Sequence, residues 1–117
     1  MTSPVTLPFS PIRIIDGVAY LSGEVPFEAD GSFAESITQQ TDTMLGRVKA
    51  RLEENGIRMR DVFSCTVYLT DKAYFAEFNQ AYARWFSAPL PVRTTVCAGM
   101  MVDGAAMEIS VIARVPA

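Results

Sequence analysis

The sequence contains no histidine, and this absence narrows the chemistry that the chain can carry. Histidine is the commonest general base near neutral pH and the commonest protein ligand for metal ions. The chain also has no Gly-rich phosphate loop, no Gly-x-Ser-x-Gly nucleophile motif and no Cys-x-x-Cys pair. Any catalysis must therefore depend on carboxylates, arginine, tyrosine, hydroxyl groups, thiols or backbone groups.

Basic charge is also scarce, because 10 Lys and Arg stand against 13 Asp and Glu and give a net charge of −3. Proteins that bind nucleic acid through a charged face usually carry a surplus of clustered Lys and Arg, so a nucleic-acid partner is disfavoured. A local basic cluster is formed by Arg47, Arg51, Arg58 and Arg60. We interpret it as a solvated helix face and the turn that follows.

Long apolar runs are absent, since none approaches the roughly 20 residues of a membrane span. Met1–Ser10 lacks the basic and apolar regions of a signal peptide, so we expect a cytoplasmic protein without a membrane partner. Cys65 and Cys97 each fall in a predicted strand, where free cysteine is typically buried, and a disulfide is the less favoured alternative. At 117 residues, the chain is expected to form one domain over residues 1–117.

Apolar periodicity predicts the order hairpin, helix, strand, helix, strand, strand. Asp16-Gly17 between two apolar runs is a strong hairpin signal, and Ser36 to Gln39 fits a helix capping box. The predicted elements are a hairpin over 12–22, a helix over 36–55, a strand over 63–70, a helix with an aromatic stripe over 75–86, and strands over 94–101 and 106–115. The aromatic stripe is expected to pack in the core against the sheet. In the middle strand, Phe63, Cys65, Val67 and Leu69 form the predicted apolar face.

This order favours an α+β fold in which both helices cover one face of the sheet. The other face is then open, and alternation places a partly apolar set of side chains on it. That set includes Tyr68, Glu108, Ser110, Ile112 and Arg114. A half-apolar open face in a small protein indicates oligomerisation.

Two charged residues interrupt apolar surroundings: Arg93 at the start of a predicted strand and Glu108 within the last one. The two strands are joined by a short connection containing Asp103-Gly104, so we expect them to be neighbours and Arg93 to pair with Glu108. Such a pair is either a structural ion pair at an interface or part of a catalytic site. A solvated edge carboxylate is a further possibility for Glu108, and periodicity does not decide among these.

The segment Pro91–Met101, followed by Met107-Glu108-Ile109, resembles the signature of the RidA (YjgF-type) family of reactive enamine/imine deaminases. Supporting stretches are Pro8-Phe9-Ser10, Asp16-Gly17, Leu21-Ser22-Gly23, Asp61, and Phe75 to Tyr82 with Asn79 inside. The resemblance implies a chorismate-mutase-like α+β fold: a mixed sheet with two helices on one face. It also implies a homotrimer with three clefts between subunits.

The same resemblance implies roles for particular residues. Arg93 would hold the substrate carboxylate, Glu108 would position or activate the attacking water, and the backbone carbonyl of Thr95 would contact that water. The expected substrate-binding residues are Arg93, Phe9, Ser22, Gly23, Glu24 and Thr94. Phe9 stands where many members have Tyr, and Glu24 where Gln is more usual, adding a negative charge near the pocket that would disfavour anionic substrates unless it is paired.

The implied reaction is hydrolysis of short 2-imino or 2-enamino acids, such as 2-aminoacrylate and its imine, to 2-oxo acids and ammonia. The iminium carbon is already electrophilic, so the reaction requires no cofactor, metal or histidine. An alternative is a non-catalytic trimer that binds small carboxylate metabolites in the same cleft. The endoribonuclease activity sometimes attached to the family is disfavoured by the acidic balance of charge.

Overall fold

The structure is a computed structural model and describes residues 6–117. The first half of the Met1–Ser10 segment, for which no signal peptide is predicted, lies outside the described residues. Across 6–117, no helix combines the length and the apolar character needed to cross a membrane.

The order of elements predicted from periodicity is confirmed. The elements are strands β1 (Ile12–Ile15) and β2 (Val18–Leu21), helix α1 (Ile37–Glu53), strand β3 (Val62–Leu69), helix α2 (Phe75–Ala83), and strands β4 (Val92–Cys97) and β5 (Met107–Arg114). Asp16 and Gly17 adopt φ values of 50° and 77°, as a tight two-residue hairpin turn between right-twisted strands requires. The observed bounds differ from the predicted ones by up to a few residues, and most of the observed elements are shorter than predicted.

Helix α1 begins where its capping residue indicates and ends slightly earlier than its sequence predicts. The Ser36 hydroxyl accepts a hydrogen bond from the Gln39 backbone N–H at 3.0 Å, which satisfies one of the free amides at the helix start. The helix ends at Glu53, two residues before the predicted Asn55, and Gly56 then reverses the chain with φ of 72°.

All five strands form one mixed sheet in the order β1-β2-β5-β3-β4. Strands β3 and β4 are parallel, and the other neighbouring pairs are antiparallel. The prediction that the Arg93 and Glu108 strands are neighbours is wrong, because β3 lies between them. The reason is topological: α2 makes a crossover that places β4 parallel to β3 at the edge, and β5 then pairs with the other side of β3.

Both helices cover one face of the sheet, and the core lies between the helices and that face. Its strand side chains are the alternate residues of β3 and β5 from Cys65 to Leu69 and from Met107 to Ala113. The opposite face, here called the open face, carries the intervening residues. By strand register these include Tyr20, Ser64, Thr66, Tyr68, Val92, Thr94, Val96, Glu108, Ser110 and Ile112. The predicted open face is therefore confirmed.

Two burial predictions for strand residues are wrong for local reasons. Phe63 was expected in the core, but the register of β3 shifts between Val62 and Ser64, so Val62 is 3% exposed and Phe63 is 46% exposed. This irregularity is a β-bulge, which turns successive side chains to the other face. Cys97 is exposed because β4 is an edge strand, whereas Cys65 is buried as expected, and both thiols are free.

Candidate functional site

Arg93 lies on the edge strand β4 with its side chain on the helix-covered side of the sheet. It is paired in register with the buried Cys65, and its guanidinium Nη2 donates a hydrogen bond to the Asn79 Oδ1 of α2 at 2.7 Å. The guanidinium carbon lies 4.7 Å from the ring centroid of Tyr82 and 5.6 Å from that of Phe78. The Phe75 ring centroid lies 5.8 Å from the same carbon, so helix α2 orients the cation through one hydrogen bond and three aromatic rings.

The Arg93 guanidinium is half-buried, and no carboxylate of residues 6–117 forms an ion pair with it. A planar guanidinium held in this way can bind an incoming carboxylate through two parallel hydrogen bonds. Arg93, Asn79 and Tyr82 are called the arginine half-site below.

Glu108 lies on the open face, where it is paired in register with Tyr68. Its carboxylate packs against the backbone of Gly23 so closely that a Cβ built at Gly23 would overlap Oε2. Glycine at this position therefore leaves room for the carboxylate. Glu108, Gly23 and Ser22 are called the glutamate half-site.

The predicted pairing of Arg93 with Glu108 does not occur within one chain. Arg93 is in register with Cys65 and Glu108 with Tyr68, and these β3 residues are three positions apart, so their side chains lie on opposite faces. The structural ion pair considered from the sequence is therefore excluded inside the chain.

Ser22, which follows β2, forms hydrogen bonds with the segment that precedes β1. Its hydroxyl donates to the Ser10 carbonyl at 2.6 Å, and its backbone N–H donates to the Pro11 carbonyl at 3.0 Å. Phe9 is exposed in this segment. Phe9 lines a cavity of about 420 Å³. The residues that line this cavity include four of the predicted binding residues: Phe9, Ser22, Gly23 and Glu24.

Glu24 is buried, with 6% of its surface exposed, and its carboxylate is fully paired. Oε1 accepts a hydrogen bond from Arg47 Nε and Oε2 accepts one from Arg51 Nε, both at 3.1 Å. The interpretation of Arg47 and Arg51 as a solvated helix face is therefore wrong, because α1 directs both towards Glu24. The pairing also removes the unpaired negative charge that Glu24 would otherwise bring to the pocket.

Thr94 and Thr95 lie beside Arg93 on β4 but face opposite ways. Thr94 is exposed on the open face, whereas Thr95 lines a hollow of about 330 Å³ together with Lys72, Phe75 and Cys97. Among residues 6–117, β4 pairs with β3 and with no other strand, so alternate backbone groups on its outer side have no strand partner there. Backbone carbonyls of β4 are thus available at this edge.

Both a family model and several solved structures match this chain over most of its length. Residues 2–115 match the family model described as Endoribonuclease L-PSP. The structure of RidA from a Psychrobacter species is 26% identical, with a TM-score of 0.87 over 96% of this chain and 92% of that one. The chain belongs to the RidA (YjgF) family.

Two further solved structures extend the comparison. A Rid-family protein, YyfA from Yersinia pestis, is 31% identical with a TM-score of 0.87, over 95% of this chain and 90% of that one. A YjgF-family protein from Neisseria meningitidis is 28% identical with a TM-score of 0.87, over 96% of this chain and 92% of that one. The α+β fold expected from the RidA resemblance is therefore confirmed.

The sequence of this RidA-family chain did not indicate which side chains contact Arg93. The aromatic stripe of α2 was predicted as core, which is correct for Phe78 and Tyr82, but Phe75 is exposed. Tyr82 lies three residues after Asn79 and four after Phe78, so it is a neighbour of each on the helix surface. That spacing was visible in the sequence, but the position of β4 beside it was not.

The Tyr82 hydroxyl is buried without a hydrogen-bond partner among the described residues. Burial raises the pKa of this phenol above its ordinary value, and the neighbouring Cys65 thiol adds to the increase. Burial likewise raises the pKa of the Cys65 thiol. Both groups are therefore neutral at physiological pH, and Arg93 brings the positive charge to the arginine half-site.

Proposed function

We propose that this protein hydrolyses reactive 2-imino and 2-enamino acids, such as 2-aminoacrylate and 2-iminopropanoate, to 2-oxo acids and ammonia. The observation that carries the proposal is the Arg93 guanidinium, which is half-buried, oriented by Asn79 and Tyr82, and without a carboxylate partner among residues 6–117. Such a group is suited to bind the carboxylate that every substrate of this class carries.

The proposed sites lie between the subunits of a homotrimer. Arg93 and Glu108 lie on opposite faces of one sheet, so a site that uses both needs two copies of the chain. The open face offers apolar contact area for such packing: Val92 is 68% exposed and Tyr20 is 46% exposed. Burial of these side chains against another copy would stabilise the assembly by the hydrophobic effect. One subunit would then supply the arginine half-site and its neighbour the glutamate half-site.

In the proposed mechanism, Arg93 binds the substrate carboxylate and fixes the adjacent iminium carbon. Glu108 and the Thr95 carbonyl hold a water molecule, and Glu108 accepts a proton as the water oxygen bonds to that carbon. The carbon–nitrogen π electrons move onto nitrogen, giving a tetrahedral carbinolamine. The proton returns to the nitrogen, and the carbon–nitrogen bond then breaks as the hydroxyl oxygen forms the new carbonyl and passes its proton to Glu108, which releases ammonia and the 2-oxo acid.

A second candidate is a trimeric protein that binds small carboxylate metabolites without turnover. This function would need Arg93 but not Glu108, and the arginine half-site is complete within one chain. The two candidates therefore differ in their dependence on Glu108. A third activity, cleavage of RNA, is suggested by the family's description, but the chain's net charge of −3 disfavours it.

The test is ammonia release from 2-aminoacrylate generated enzymatically in the presence of purified wild-type protein, Arg93→Ala or Glu108→Gln. We expect acceleration by the wild type and none by Arg93→Ala, with the assembly of both unchanged by light scattering. Glu108→Gln should retain binding of a 2-oxo acid while releasing ammonia at only a small fraction of the wild-type rate. A wild-type rate no faster than buffer would reject the deaminase, and retained binding would then favour the second candidate.

A further inference from the structure

The pairing of Glu24 has a consequence for the charge of the cavity beside it. One buried carboxylate is shared by two guanidinium groups, through the Nε atoms of Arg47 and Arg51. Two positive charges against one negative charge leave this cluster, here called the Glu24 cluster, with a net charge of +1. The side chains of Arg47 and Arg51 are 38% and 28% exposed, so the excess charge is in contact with solvent.

The cluster also has hydrogen-bond donors to spare. A guanidinium has five N–H donors, and each arginine gives its Nε–H to Glu24. Among the described residues, Arg47 makes one further hydrogen bond, from Nη1 to the Phe27 carbonyl at 3.5 Å, and its guanidinium carbon lies 5.8 Å from the Phe27 ring centroid. Within residues 6–117, the terminal amino groups of Arg51 have no acceptor. A donor-rich, net positive pair of this kind is suited to a carboxylate or another small anion.

These donors face the cavity that contains the predicted substrate-binding residues. The cavity of about 420 Å³ is lined by Arg47 and Arg51 as well as by Ser22 and Gly23, and Gly23 touches the Glu108 carboxylate. Among the described residues, Glu54 after the end of α1 lines a separate hollow of about 190 Å³ and not this cavity, and it forms no ion pair with Arg47 or Arg51. It therefore does not neutralise the cluster on the side of the cavity.

We infer that the Glu24 cluster binds a second carboxylate of the substrate, so that the preferred substrates are imino acids derived from dicarboxylic amino acids. This inference rests on the proposed function: Arg93 would hold the carboxylate next to the imine, and Arg51 with Arg47 would hold the one at the far end. Apolar 2-imino acids would fill the same cavity without satisfying these donors, which lowers their relative affinity.

Binding of stable 2-oxo acids tests the inference without requiring turnover. Wild-type trimer is titrated calorimetrically with oxaloacetate, 2-oxoglutarate and 2-oxoadipate, and with 2-oxo monocarboxylates of the same chain lengths. We expect at least one dicarboxylate to bind about tenfold more tightly than its matched monocarboxylate, because a charge-assisted hydrogen bond contributes an effect of that order. Equal affinity throughout both series, or binding of neither series, would overturn the inference.

Two substitutions give shifts of opposite sign and so separate charge from structural damage. Arg51→Gln makes the cluster neutral and should abolish the dicarboxylate preference, whereas Glu24→Gln raises its charge to +2 and should increase the preference several-fold. Damage to the cavity would instead reduce the preference in both variants, and that result would also overturn the inference. Arg60→Gln, which removes an equal charge from an exposed position outside this cavity, is the matched control.

Binding and turnover measurements separate a wrong substrate class from a wrong reaction. If the dicarboxylate preference is absent but 2-aminoacrylate is deaminated, the substrate class is wrong and the reaction stands. If the preference is present but no imine is hydrolysed, the anion site stands and the protein is a binding protein.

Discussion

Arg93 and Glu108 lie on opposite faces of the same sheet, with strand β3 between their strands. Arg93 faces α2, which supplies a hydrogen-bond acceptor and aromatic rings, whereas Glu108 lies on the open face against Gly23. Because a β-sheet separates its two faces by the thickness of its backbone, neither side chain can reach the other within the chain. The proposed chemistry therefore depends on assembly.

Mixed trimers provide the most direct test of this dependence. Arg93→Ala and Glu108→Gln are each expected to be nearly inactive alone. Co-expressed in equal amounts, the two variants should regain about one quarter of wild-type activity, because random assembly unites an intact Arg93 and an intact Glu108 in about one cleft in four. Ammonia release per trimer measures the recovery.

The matching control is a trimer that mixes wild-type chains with the double variant. Here too about one cleft in four is intact, so the two mixtures should show the same activity. A mixture of the single variants no more active than either alone would show that Arg93 and Glu108 do not act in a shared cleft.

Gly23→Ala should displace the Glu108 carboxylate, because the added methyl group would overlap it. We expect kcat to fall about tenfold or more, which corresponds to a small loss of transition-state stabilisation, while the protein remains folded. Steady-state ammonia release and circular dichroism check the two expectations.

Gly46→Ala is the control for the glycine substitution. A Cβ at Gly46 in α1 would lie 3.8 Å from the Trp85 ring, which is an ordinary contact. Alanine favours a helix over glycine by about 1 kcal/mol, so this variant should gain stability and keep its activity. Full activity in Gly23→Ala would contradict the assigned position of Glu108 in catalysis.

Asn79 is expected to position Arg93, since its Oδ1 accepts the 2.7 Å hydrogen bond from the guanidinium. Asn79→Ala should raise KM about tenfold with a smaller change in kcat, because the bond affects carboxylate binding first. Asn79→Asp should raise KM further, since its added negative charge competes with the substrate for Arg93.

A purely structural role for Asn79 would give the opposite order, because aspartate keeps an acceptor that alanine lacks. Gln80→Ala, at the next and exposed position of α2, is the control for helix stability. Its KM should equal that of the wild type in the same ammonia-release assay.

Tyr82→Phe removes a buried hydroxyl that has no partner among the described residues. We expect the free energy of unfolding at neutral pH to rise by about 1 kcal/mol, because the cost of burying an unpaired hydroxyl disappears. Urea unfolding monitored by circular dichroism measures the change. A large loss of stability would show that the hydroxyl makes a hydrogen bond in the folded protein.

The same variant should differ from the wild type at alkaline pH. Burial raises the Tyr82 pKa in the folded protein, so above the ordinary value of 10.0 the unfolded chain ionises while the folded phenol stays neutral. The contribution of this group to stability is therefore present below pH 10.0 and is lost as the pH rises further. Tyr82→Phe should lose less stability on that interval, and an identical loss would contradict the burial of the phenol.

Some features of the site were predictable only in part. The sequence showed a negative charge at Glu24 and a basic cluster that includes Arg47 and Arg51, but not that they form one group. Arg47 and Arg51 are four residues apart and so share a helix face, yet which face turns inward depends on how α1 docks against the sheet. Likewise, Phe63 fits the alternation of β3, and only the bulge beside it moves it outward.

The sequence by itself determined the elements, the alternation that places Glu108 on the open face, and the motif containing Arg93, because periodicity and turn chemistry act over a few residues. The tertiary structure decided the strand order, the separation of Arg93 from Glu108, the pairing of Glu24, and the contacts of Arg93 with Asn79 and Tyr82. These depend on long-range packing, in which β5 enters between β2 and β3 and leaves β4 at the edge against α2.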